Sequence, residues 1–169
     1  MKNIVLTGFM GTGKTELGKI LSKKLDCVLV DVDNELEKEE GMTISEIFRQ
    51  HGEPGFRERE TAMIRTIAER ERVVVSTGGG AVLRQENMDA LREKGVIVCL
   101  TARPETVLHR TRGSKDRPLL QVEDPLGKIR ELMEFRKPFY EKADMVINTD
   151  GKTPLQVAEE IIGGINKKS

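Results

Sequence analysis

The sequence has few aromatic residues and no excess charge of either sign. It contains no tryptophan, one tyrosine and five phenylalanines, and its 28 lysines and arginines are balanced by 28 aspartates and glutamates. A protein that binds duplex DNA is expected to carry a basic excess, and one that binds single strands needs aromatic side chains on which bases stack. The composition therefore argues against a nucleic acid as the partner.

Long hydrophobic runs, cysteine and histidine are also scarce. No run approaches the ~18 apolar residues that a membrane helix requires, and glycines and a lysine interrupt the N-terminal segment where a signal peptide would be apolar. Cys27 and Cys99 lie in or beside apolar, strand-like runs, which favours buried thiols in a reducing compartment over a disulfide or metal site. His51 and His109 have no further ligands nearby in sequence and are interpreted as solvent-facing helix residues. We therefore expect a cytoplasmic protein.

The sequence is that of one globular domain in which short β-branched runs alternate with helical patterns. Hydrophobic residues make up 37% of the 169 residues, and no internal repeat or interdomain linker divides residues 1–169. The apolar runs predict five strands, at 3–7, 27–32, 72–77, 96–100 and 145–148. Their nearly continuous apolar character indicates strands that helices cover on both faces, and capping boxes at Thr43 and Thr153 mark two helix starts. We predict an α/β fold with a five-stranded parallel sheet flanked by helices, and a monomer, because no apolar stripe is left exposed.

Residues 111–127 break this pattern, with prolines, glycines and mixed charges but little periodicity. Connections of this length in a compact domain are usually functional lids or disordered segments. The segment contains Arg117, preceded by Arg110 and Arg112, and an arginine on a closing loop can stabilise the charge of a transferring phosphate. We interpret the segment as a mobile lid; a solvated loop charge is the alternative for its arginines.

Residues 8–15 match the phosphate-loop pattern G-x-x-x-x-G-K-[ST]. They follow the first predicted strand and open the first predicted helix, which is the context that this pattern requires. Glycines let backbone N–H groups turn inward around phosphate oxygens, and the helix N-terminus adds partial positive charge. Lys14 would reach the β- and γ-phosphates, and Thr15 would place its hydroxyl group on Mg²⁺. The motif predicts binding of a nucleoside triphosphate.

Asp31 and Asp33 end the second predicted strand. Period-2 alternation places both on one face of that strand, at its carboxyl end, where open α/β sheets bind ligands. One carboxylate could hold a Mg²⁺-bound water while the other accepts a proton from an attacking hydroxyl group. A solvated turn acid or a helix cap is the structural alternative.

Three consecutive glycines follow the third predicted strand, at residues 78–80. Glycines lose much conformational freedom when they are ordered, so a loop that keeps three of them is expected to approach something closely with its backbone. An anion-binding turn that offers N–H groups to a substrate is one interpretation, and a flexible connection is the other.

Two arginines occupy informative positions. Arg136 is in register with the apolar stripe of a helix that begins near Leu126, so it points inward and needs an anion, because an unpaired buried charge is destabilising. Arg57 has Glu60 one helical turn further on, which could orient it. A bidentate grip on a substrate carboxylate suits both arginines, and an internal salt bridge is the alternative for each.

Together these motifs resemble the shikimate kinase family, within the nucleoside-monophosphate-kinase-like group of phosphate-loop folds. The resemblance covers nearly the whole chain and rests on seven segments in the family's order and spacing: GFMGTGKT at 8–15, DVD at 31–33, ISEIF at 44–48, GEPGFRERE at 52–60, TGGGAV at 77–82, RPLL at 117–120 and FRKPFY at 135–140. It implies a three-layer α/β/α domain with a substrate-binding region at about 33–60 and a lid at about 111–127. The implied reaction converts ATP and shikimate into ADP and shikimate 3-phosphate, on the route to chorismate and the aromatic amino acids.

The resemblance also implies roles at the ATP site. The phosphates would be held by Gly11, Thr12, Gly13, Lys14, Thr15 and Glu16. Lys14 would act on the transferring group, Thr15 would bind Mg²⁺, and Asp31 would support the metal through water. Arg117 would come down with the lid onto the phosphates, and Arg110 would lie near the nucleotide.

At the acceptor site, the resemblance implies that Asp33 binds the hydroxyl groups of shikimate and is the general base for the attacking one. Arg57 and Arg136 would clamp the carboxylate, and Gly79, with Gly80 beside it, would offer its backbone N–H. The residues by themselves indicate only a kinase for a small hydroxylated carboxylate; the name shikimate comes from the resemblance.

One departure from the family and two rival functions remain. Relatives often carry an arginine near the adenine where this chain has Lys152, and lysine cannot stack on adenine as a planar guanidinium does. A kinase for another polyol acid, such as gluconate, would use the same fold. A nucleotide-dependent switch is the other rival, but the sequence has no N-K-x-D motif for guanine, and a switch has no use for two inward-facing arginines.

Overall fold

Five parallel strands form one sheet in the order β2-β3-β1-β4-β5. The computed structural model describes residues 1–113 and 120–168 of the chain. In chain order the strands are β1 (Asn3–Gly8), β2 (Val28–Asp31), β3 (Val73–Ser76), β4 (Gly95–Thr101) and β5 (Met145–Asn148). The predicted parallel sheet is confirmed, and each predicted strand end lies within one residue of the observed one.

Helices connect the strands, as the alternating sequence pattern predicts. They are α1 (Lys14–Leu25), α2 (Val32–Glu40), α3 (Ile44–Ala68), α4 (Gln85–Lys94), α5 (Pro104–Thr111), α6 (Pro125–Tyr140) and α7 (Pro154–Lys168), with a short 3-10 helix at Ala81–Leu83. Within α3, Gly52 has a φ of 67° and Pro54 follows it, so the helix is interrupted and continues in a new direction. The second part of α3 carries Arg57 and Glu60.

Both predicted capping boxes are present. At the start of α3, the Thr43 hydroxyl accepts from the Glu46 N–H at 3.2 Å while the Glu46 carboxylate accepts from the Thr43 N–H at 3.0 Å. Before α7, Thr153 and Gln156 make the same reciprocal pair at 3.2 and 2.8 Å. Each box satisfies helix N–H groups that have no partner within the helix.

The hydrophobic core lies on both faces of the sheet. In β1, Ile4 and Leu6 face the layer formed by α1 and α7, while Val5 faces the layer that contains α2, α3 and α4. All three side chains are buried, because successive strand residues point to opposite faces and both faces are covered. The three-layer α/β/α architecture explains why the strands are almost continuously apolar in sequence.

The loops that follow β1, β2 and β3 lie side by side at the carboxyl edge of the sheet. β1 pairs with β3, and β3 pairs with β2, with Leu6 and Asp31 both opposite Ser76 in register. The loop at residues 8–15, the end of β2 and the triple glycine are therefore neighbours in space, although they are separated along the chain.

Several smaller predictions have mixed outcomes. Cys99 is buried as predicted, whereas Cys27 is only partly buried because it precedes the edge strand β2, and both thiols are free. His51 and His109 are exposed on helices, as predicted. The predicted lid overlaps α5 at its start and α6 at its end, and residues 114–119, including Arg117, lie outside the described residues. Over the ranges that are described, no helix is long and apolar enough to span a membrane.

Candidate active site

The phosphate loop joins β1 to α1 at the carboxyl edge of the sheet. Gly8 and Gly13 have φ values of 130° and 95°, which residues with a Cβ rarely adopt. A Cβ on Gly8 would also lie 2.3 Å from the carbonyl oxygen of Leu100, so the loop passes as close to β4 as a glycine allows. Thr12 closes the loop by donating from its hydroxyl group to the Phe9 carbonyl oxygen at 2.7 Å. The backbone of the loop is therefore held in place directly before the start of α1.

Lys14 and Thr15 are the first two residues of α1, and their side chains contact different elements. The Lys14 ammonium donates to the carbonyl oxygens of Gly8 and Phe9 at 2.7 and 2.9 Å, and its side chain is buried. These contacts hold a positive charge against the loop that is built to receive phosphate. The Thr15 hydroxyl group donates to Oδ2 of Asp31 at 3.3 Å, which joins α1 to the end of β2.

Asp33 lies in the first turn of α2, so its predicted position on the second strand is wrong. Asp31 is the N-cap of α2 and accepts from the Asn34 N–H at 3.2 Å, which makes the chain turn into a helix at Val32. The helix-cap alternative is therefore correct for Asp31. Val32 is buried in the core, while Asp31 and Asp33 still line one cavity together.

That cavity has a volume of about 390 Å³ and is lined by the phosphate loop, both aspartates and the triple-glycine loop. Its lining residues are Met10, Gly11, Gly13, Lys14, Thr15, Glu16, Asp31, Asp33, Ser76, Thr77, Gly78, Gly79 and Arg110. A cleft of this kind, with a few converging polar groups, is the usual form of a ligand site. One space therefore brings together most of the residues that the sequence singled out.

Asp33 is held in an environment that favours its neutral form. The pKa of Asp33 is raised to about 7, chiefly by burial and then by the carboxylates of Glu60 and Asp31, while Lys14 and Arg57 oppose the rise. Oδ1 of Asp33 is buried and has no hydrogen-bond partner among the described residues. A carboxyl group that titrates near neutral pH in a cleft can act as a general base at physiological pH.

The triple glycine makes the close approach that its sequence predicts. A Cβ added to this loop would come within 3.2 Å of a functional side chain at each position: at Gly78 it would meet Glu60 at 3.0 Å, at Gly79 Arg136 at 3.2 Å, and at Gly80 Arg57 at 2.2 Å. The loop is therefore packed against two guanidinium groups and a carboxylate, and the flexible-connection alternative does not describe it.

Arg57 is oriented by the acidic residues on its own helix. It is buried, and it donates to Glu60 at 2.8 Å and to Glu53 at 3.5 Å. Glu60 has no exposed surface, and burial raises the pKa of its carboxyl group while Arg57 opposes the rise. Nε of Arg57 has no partner in the described part of the chain. The predicted salt bridge between Arg57 and Glu60 is therefore present, and the grip of Arg57 on a substrate carboxylate stays a prediction.

Arg136 is a buried cation with no carboxylate partner among the described residues. Its residue surface is 2% exposed, and no described acidic side chain lies within salt-bridge distance of it. The guanidinium lies over the Phe9 ring, 5.5 Å from the centroid, and Nε and Nη1 have no hydrogen-bond partner among the residues that are described. Two unpaired N–H donors on a buried charge define a site for an anion.

A second cavity of about 230 Å³ adjoins the first and shares Gly13, Glu16 and Arg110 with it. Arg110 donates to the Gly11 carbonyl oxygen at 3.2 Å and to the Thr149 hydroxyl group at 3.4 Å. Lys152 lies in the wall of this cavity, and its ammonium pairs with Glu160 at 2.7 Å. The cavity is placed beside the phosphate loop, where the base and sugar of a nucleotide would extend.

Two residues near the site were not anticipated, and of these only Thr149 lines one of the two cavities. Thr149 directly follows β5 at the same edge of the sheet, so its position after a parallel strand is the signal that could have found it. Tyr140 fits the apolar stripe of α6 in sequence, but its hydroxyl group donates to the Gly79 carbonyl oxygen at 2.6 Å. The spacing of apolar residues along α6 indicates that Tyr140 is buried, but it does not show whether its hydroxyl group also donates a hydrogen bond.

The fold and the site together define a phosphate-loop kinase of the nucleoside-monophosphate-kinase type. The sequence model of the shikimate kinase family matches residues 10–166. A shikimate kinase from Thermodesulfovibrio yellowstonii is 54% identical over 162 residues, which cover 96% of this chain and 94% of that protein. One from Caldicellulosiruptor bescii is 53% identical with the same coverage of both chains. The chain belongs to the shikimate kinase family.

Solved structures agree with this assignment. A shikimate kinase from Acinetobacter baumannii in complex with shikimate is similar with a TM-score of 0.97 and 39% identity, covering all of this chain and 95% of that one. A gluconokinase from Sinorhizobium meliloti shares the fold, with a TM-score of 0.62, 16% identity and coverage of 98% and 92%. Membership in the family makes this chain a kinase that phosphorylates shikimate.

Proposed function

We propose that the two adjoining cavities bind ATP and shikimate, and that the site transfers the γ-phosphoryl group to the 3-hydroxyl group of shikimate. The observation that carries this proposal is the combination of Asp33, whose pKa is raised to about 7, with the unpaired buried guanidinium of Arg136 beside a phosphate loop. A base, an anion site and a phosphate cradle are what a kinase for a hydroxylated carboxylic acid requires.

The acceptor binds through its carboxylate and its hydroxyl groups. Arg57 and Arg136 contribute the N–H donors that lack partners, and the N–H groups of Gly79 and Gly80 lie beside them. Asp33 accepts the proton of the 3-hydroxyl group as its oxygen bonds to the γ-phosphorus atom. The bond from that phosphorus to the bridging oxygen breaks, and ADP leaves with the electron pair.

ATP binds with its phosphates on residues 11–16 and its base in the smaller cavity. Lys14 neutralises charge on the transferring group, Arg110 lies along the nucleotide, and the stem of Lys152 lines the base site. Arg117 would add a further positive charge, but it lies outside the described residues.

A magnesium ion fits the pair formed by Thr15 and Asp31. Their oxygens lie 3.3 Å apart beside the phosphate loop, and no cluster of three metal-ligating side chains occurs in residues 1–113 and 120–168. This sparse set suits Mg²⁺, which keeps waters and binds phosphates rather than a cage of protein ligands. Mg²⁺ would neutralise charge on the β- and γ-phosphates. Thr15 and Asp31 hold its position, Asp31 through water.

We also propose the wider context of this activity. The chain forms a single domain over residues 1–169, with the acceptor region at about 33–60 and a lid at about 111–127. It acts as a cytoplasmic monomer on small molecules, in the biosynthesis of chorismate and the aromatic amino acids, and two free thiols suit a reducing compartment.

A coupled assay of ADP release tests the proposal against its rivals. Mg·ATP is supplied with shikimate, with gluconate or with no acceptor. Release that depends on shikimate supports the proposed function, and release that depends on gluconate would assign the site to another polyol acid. Equal slow release in all three would favour a nucleotide-dependent switch.

A further inference from the structure

We propose that Tyr140 is a positioning residue for the acceptor, because it fixes the peptide unit between Gly79 and Gly80, against which the guanidinium of Arg136 packs. The proposal rests on the proposed function, since it concerns how the same site presents its donors. Tyr140 itself does not line the cavity that holds the phosphate loop and the two aspartates.

The hydrogen bond from Tyr140 reaches the triple-glycine loop from the hydrophobic core. Its hydroxyl group donates to the Gly79 carbonyl oxygen at 2.6 Å, and the ring is buried in the core at the end of α6. Burial raises the pKa of the phenol to about 12, so it remains a donor throughout the working range of pH. The contact ties α6 to the loop after β3, two elements that are 61 residues apart in sequence.

Because the peptide bond is planar, this contact also fixes the direction in which the N–H of Gly80 points. In a trans peptide, the carbonyl of Gly79 and the N–H of Gly80 belong to one rigid plane and point in opposite directions. The structure has no cis peptide bond in its described ranges. When Tyr140 holds the carbonyl on its own side, the N–H of Gly80 is turned away from Tyr140.

The backbone N–H donors of this loop are not used by the described part of the chain. Neither the Gly79 nor the Gly80 N–H makes a hydrogen bond to any described residue. Glycine adopts many backbone conformations, so the orientation of this peptide depends on the hydrogen bond from Tyr140 together with the packing of the loop against Arg57 and Arg136. Gly79 lines the cavity that holds the phosphate loop and both aspartates, so an N–H donor of this loop is available to a ligand there.

Arg136 completes the arrangement. It lies four residues before Tyr140 on α6, so both side chains project from the same face of the helix. Nη1 of its guanidinium lies 3.2 Å from the position of a Cβ on Gly79, so the guanidinium packs against the loop whose peptide Tyr140 holds. The phenol thus orients the peptide against which the guanidinium of Arg136 packs.

The variant Tyr140→Phe removes the donor and keeps the ring. We expect KM for shikimate to rise about tenfold, KM for ATP to stay within about twofold, and kcat to fall less than KM rises. Asn3→Ala is the matched control, since Asn3 is buried and donates to the Arg70 carbonyl oxygen at 2.8 Å at the opposite end of the sheet. It should lower the melting temperature and leave KM for shikimate unchanged.

A purely structural role for Tyr140 would give a different result. Tyr140→Phe would then behave as Asn3→Ala does, with a lower melting temperature and an unchanged KM for shikimate, and the proposal would be overturned. If the wild-type chain does not phosphorylate shikimate at all, the proposed function fails first. The two failures are therefore distinguishable.

A spectroscopic measurement on the wild-type sequence covers the case in which Tyr140→Phe does not fold. The chain has one tyrosine, so growth with 3-fluorotyrosine labels Tyr140 alone. Shikimate should shift the single fluorine resonance, because its binding engages the peptide that the phenol contacts, whereas ADP should leave it nearly unchanged. A resonance that shifts with ADP and not with shikimate would contradict the proposal.

Discussion

Asp33 is the residue on which the chemistry depends. Its carboxyl group is buried beside Glu60 and Asp31, and this environment raises its pKa to about 7. The sequence indicates the residue, because an acidic pair after a strand beside a phosphate loop is a recognisable pattern. The raised pKa does not follow from the sequence, since Glu60 comes from α3 and only the kink at Gly52 and the packing of α3 bring it close.

Replacing Asp33 by Asn is predicted to abolish phosphoryl transfer while ATP binding is almost intact. The change removes the base and leaves the phosphate loop in place, so kcat should fall by about 100-fold or more. Asp89→Asn, on the exposed surface of α4, makes the same chemical change away from the site and should have no effect. Turnover of Asp33→Asn within a few-fold of wild type would refute the role of general base.

The pH dependence of activity and stability follows from the same pKa. The base must be ionised, so kcat/KM for shikimate should rise with pH and reach half of its maximum near pH 7. Because the folded state binds this proton more tightly than the unfolded state, Asp33 contributes stability at low pH that is lost as pH rises from about 4 to about 7. Asp33→Asn should therefore melt at a higher temperature than wild type at pH 8. A lower melting temperature there would show that ionised Asp33 stabilises the fold.

Arg136→Lys is predicted to weaken shikimate binding far more than ATP binding. An ammonium cannot replace the planar pair of N–H donors that Arg136 leaves unpaired, so the Kd for shikimate should rise about 10- to 100-fold in calorimetric titration. Arg130→Lys on the same helix, where Arg130 is exposed and pairs with Glu105, is the control and should change neither affinity. An equal loss of both affinities for Arg136→Lys would make Arg136 a structural residue.

At the scale of elements, the site is assembled by loops at one edge of a parallel sheet. Alternating strand and helix patterns predict this edge, because the carboxyl ends of parallel strands meet there. The start of α2 could not be predicted as well, since the alternation of Asp31, Val32 and Asp33 fits a strand and a capped helix equally. The capping bond to Asn34 decides in favour of the helix.

The triple-glycine loop gives a test at this scale. A Cβ on Gly80 would lie 2.2 Å from Nη2 of Arg57, so Gly80→Ala must displace the guanidinium or the loop, and we expect KM for shikimate to rise about tenfold. Gly163→Ala is the matched control, because nothing lies within 4 Å of its Cβ position on α7. It should stabilise the protein by about 0.5–1 kcal/mol and leave the kinetics unchanged. Equal kinetics for the two variants would show that Arg57 does not need its observed position.

At the scale of the whole molecule, the sequence predicts the three layers and the parallel strands because local patterns determine both. Spacing on one helix also indicates the pairing of Arg57 with Glu60, whereas nothing in the sequence predicts the contact between Tyr140 and Gly79. That contact depends on how α6 packs against the sheet. Sequence spacing carries information about neighbours on one helix and little about contacts between distant elements.

The surface of the described residues supports the proposed monomer. The large exposed apolar side chains are separated, with Val28 on one edge strand of the sheet and Val146 on the other. Both edge strands have only four residues, which limits pairing between copies of the chain. Sedimentation velocity should give the mass of one chain with and without ATP and shikimate, and a concentration-dependent dimer would contradict this prediction.

The central claim is that this chain phosphorylates the 3-hydroxyl group of shikimate, and phosphorus NMR of the reaction product tests it most directly. With Mg·ATP and shikimate, we predict one phosphomonoester resonance coupled to the proton on carbon 3, formed in step with ADP. Inorganic phosphate formed in place of the ester, or an ester on another hydroxyl group, would contradict the claim.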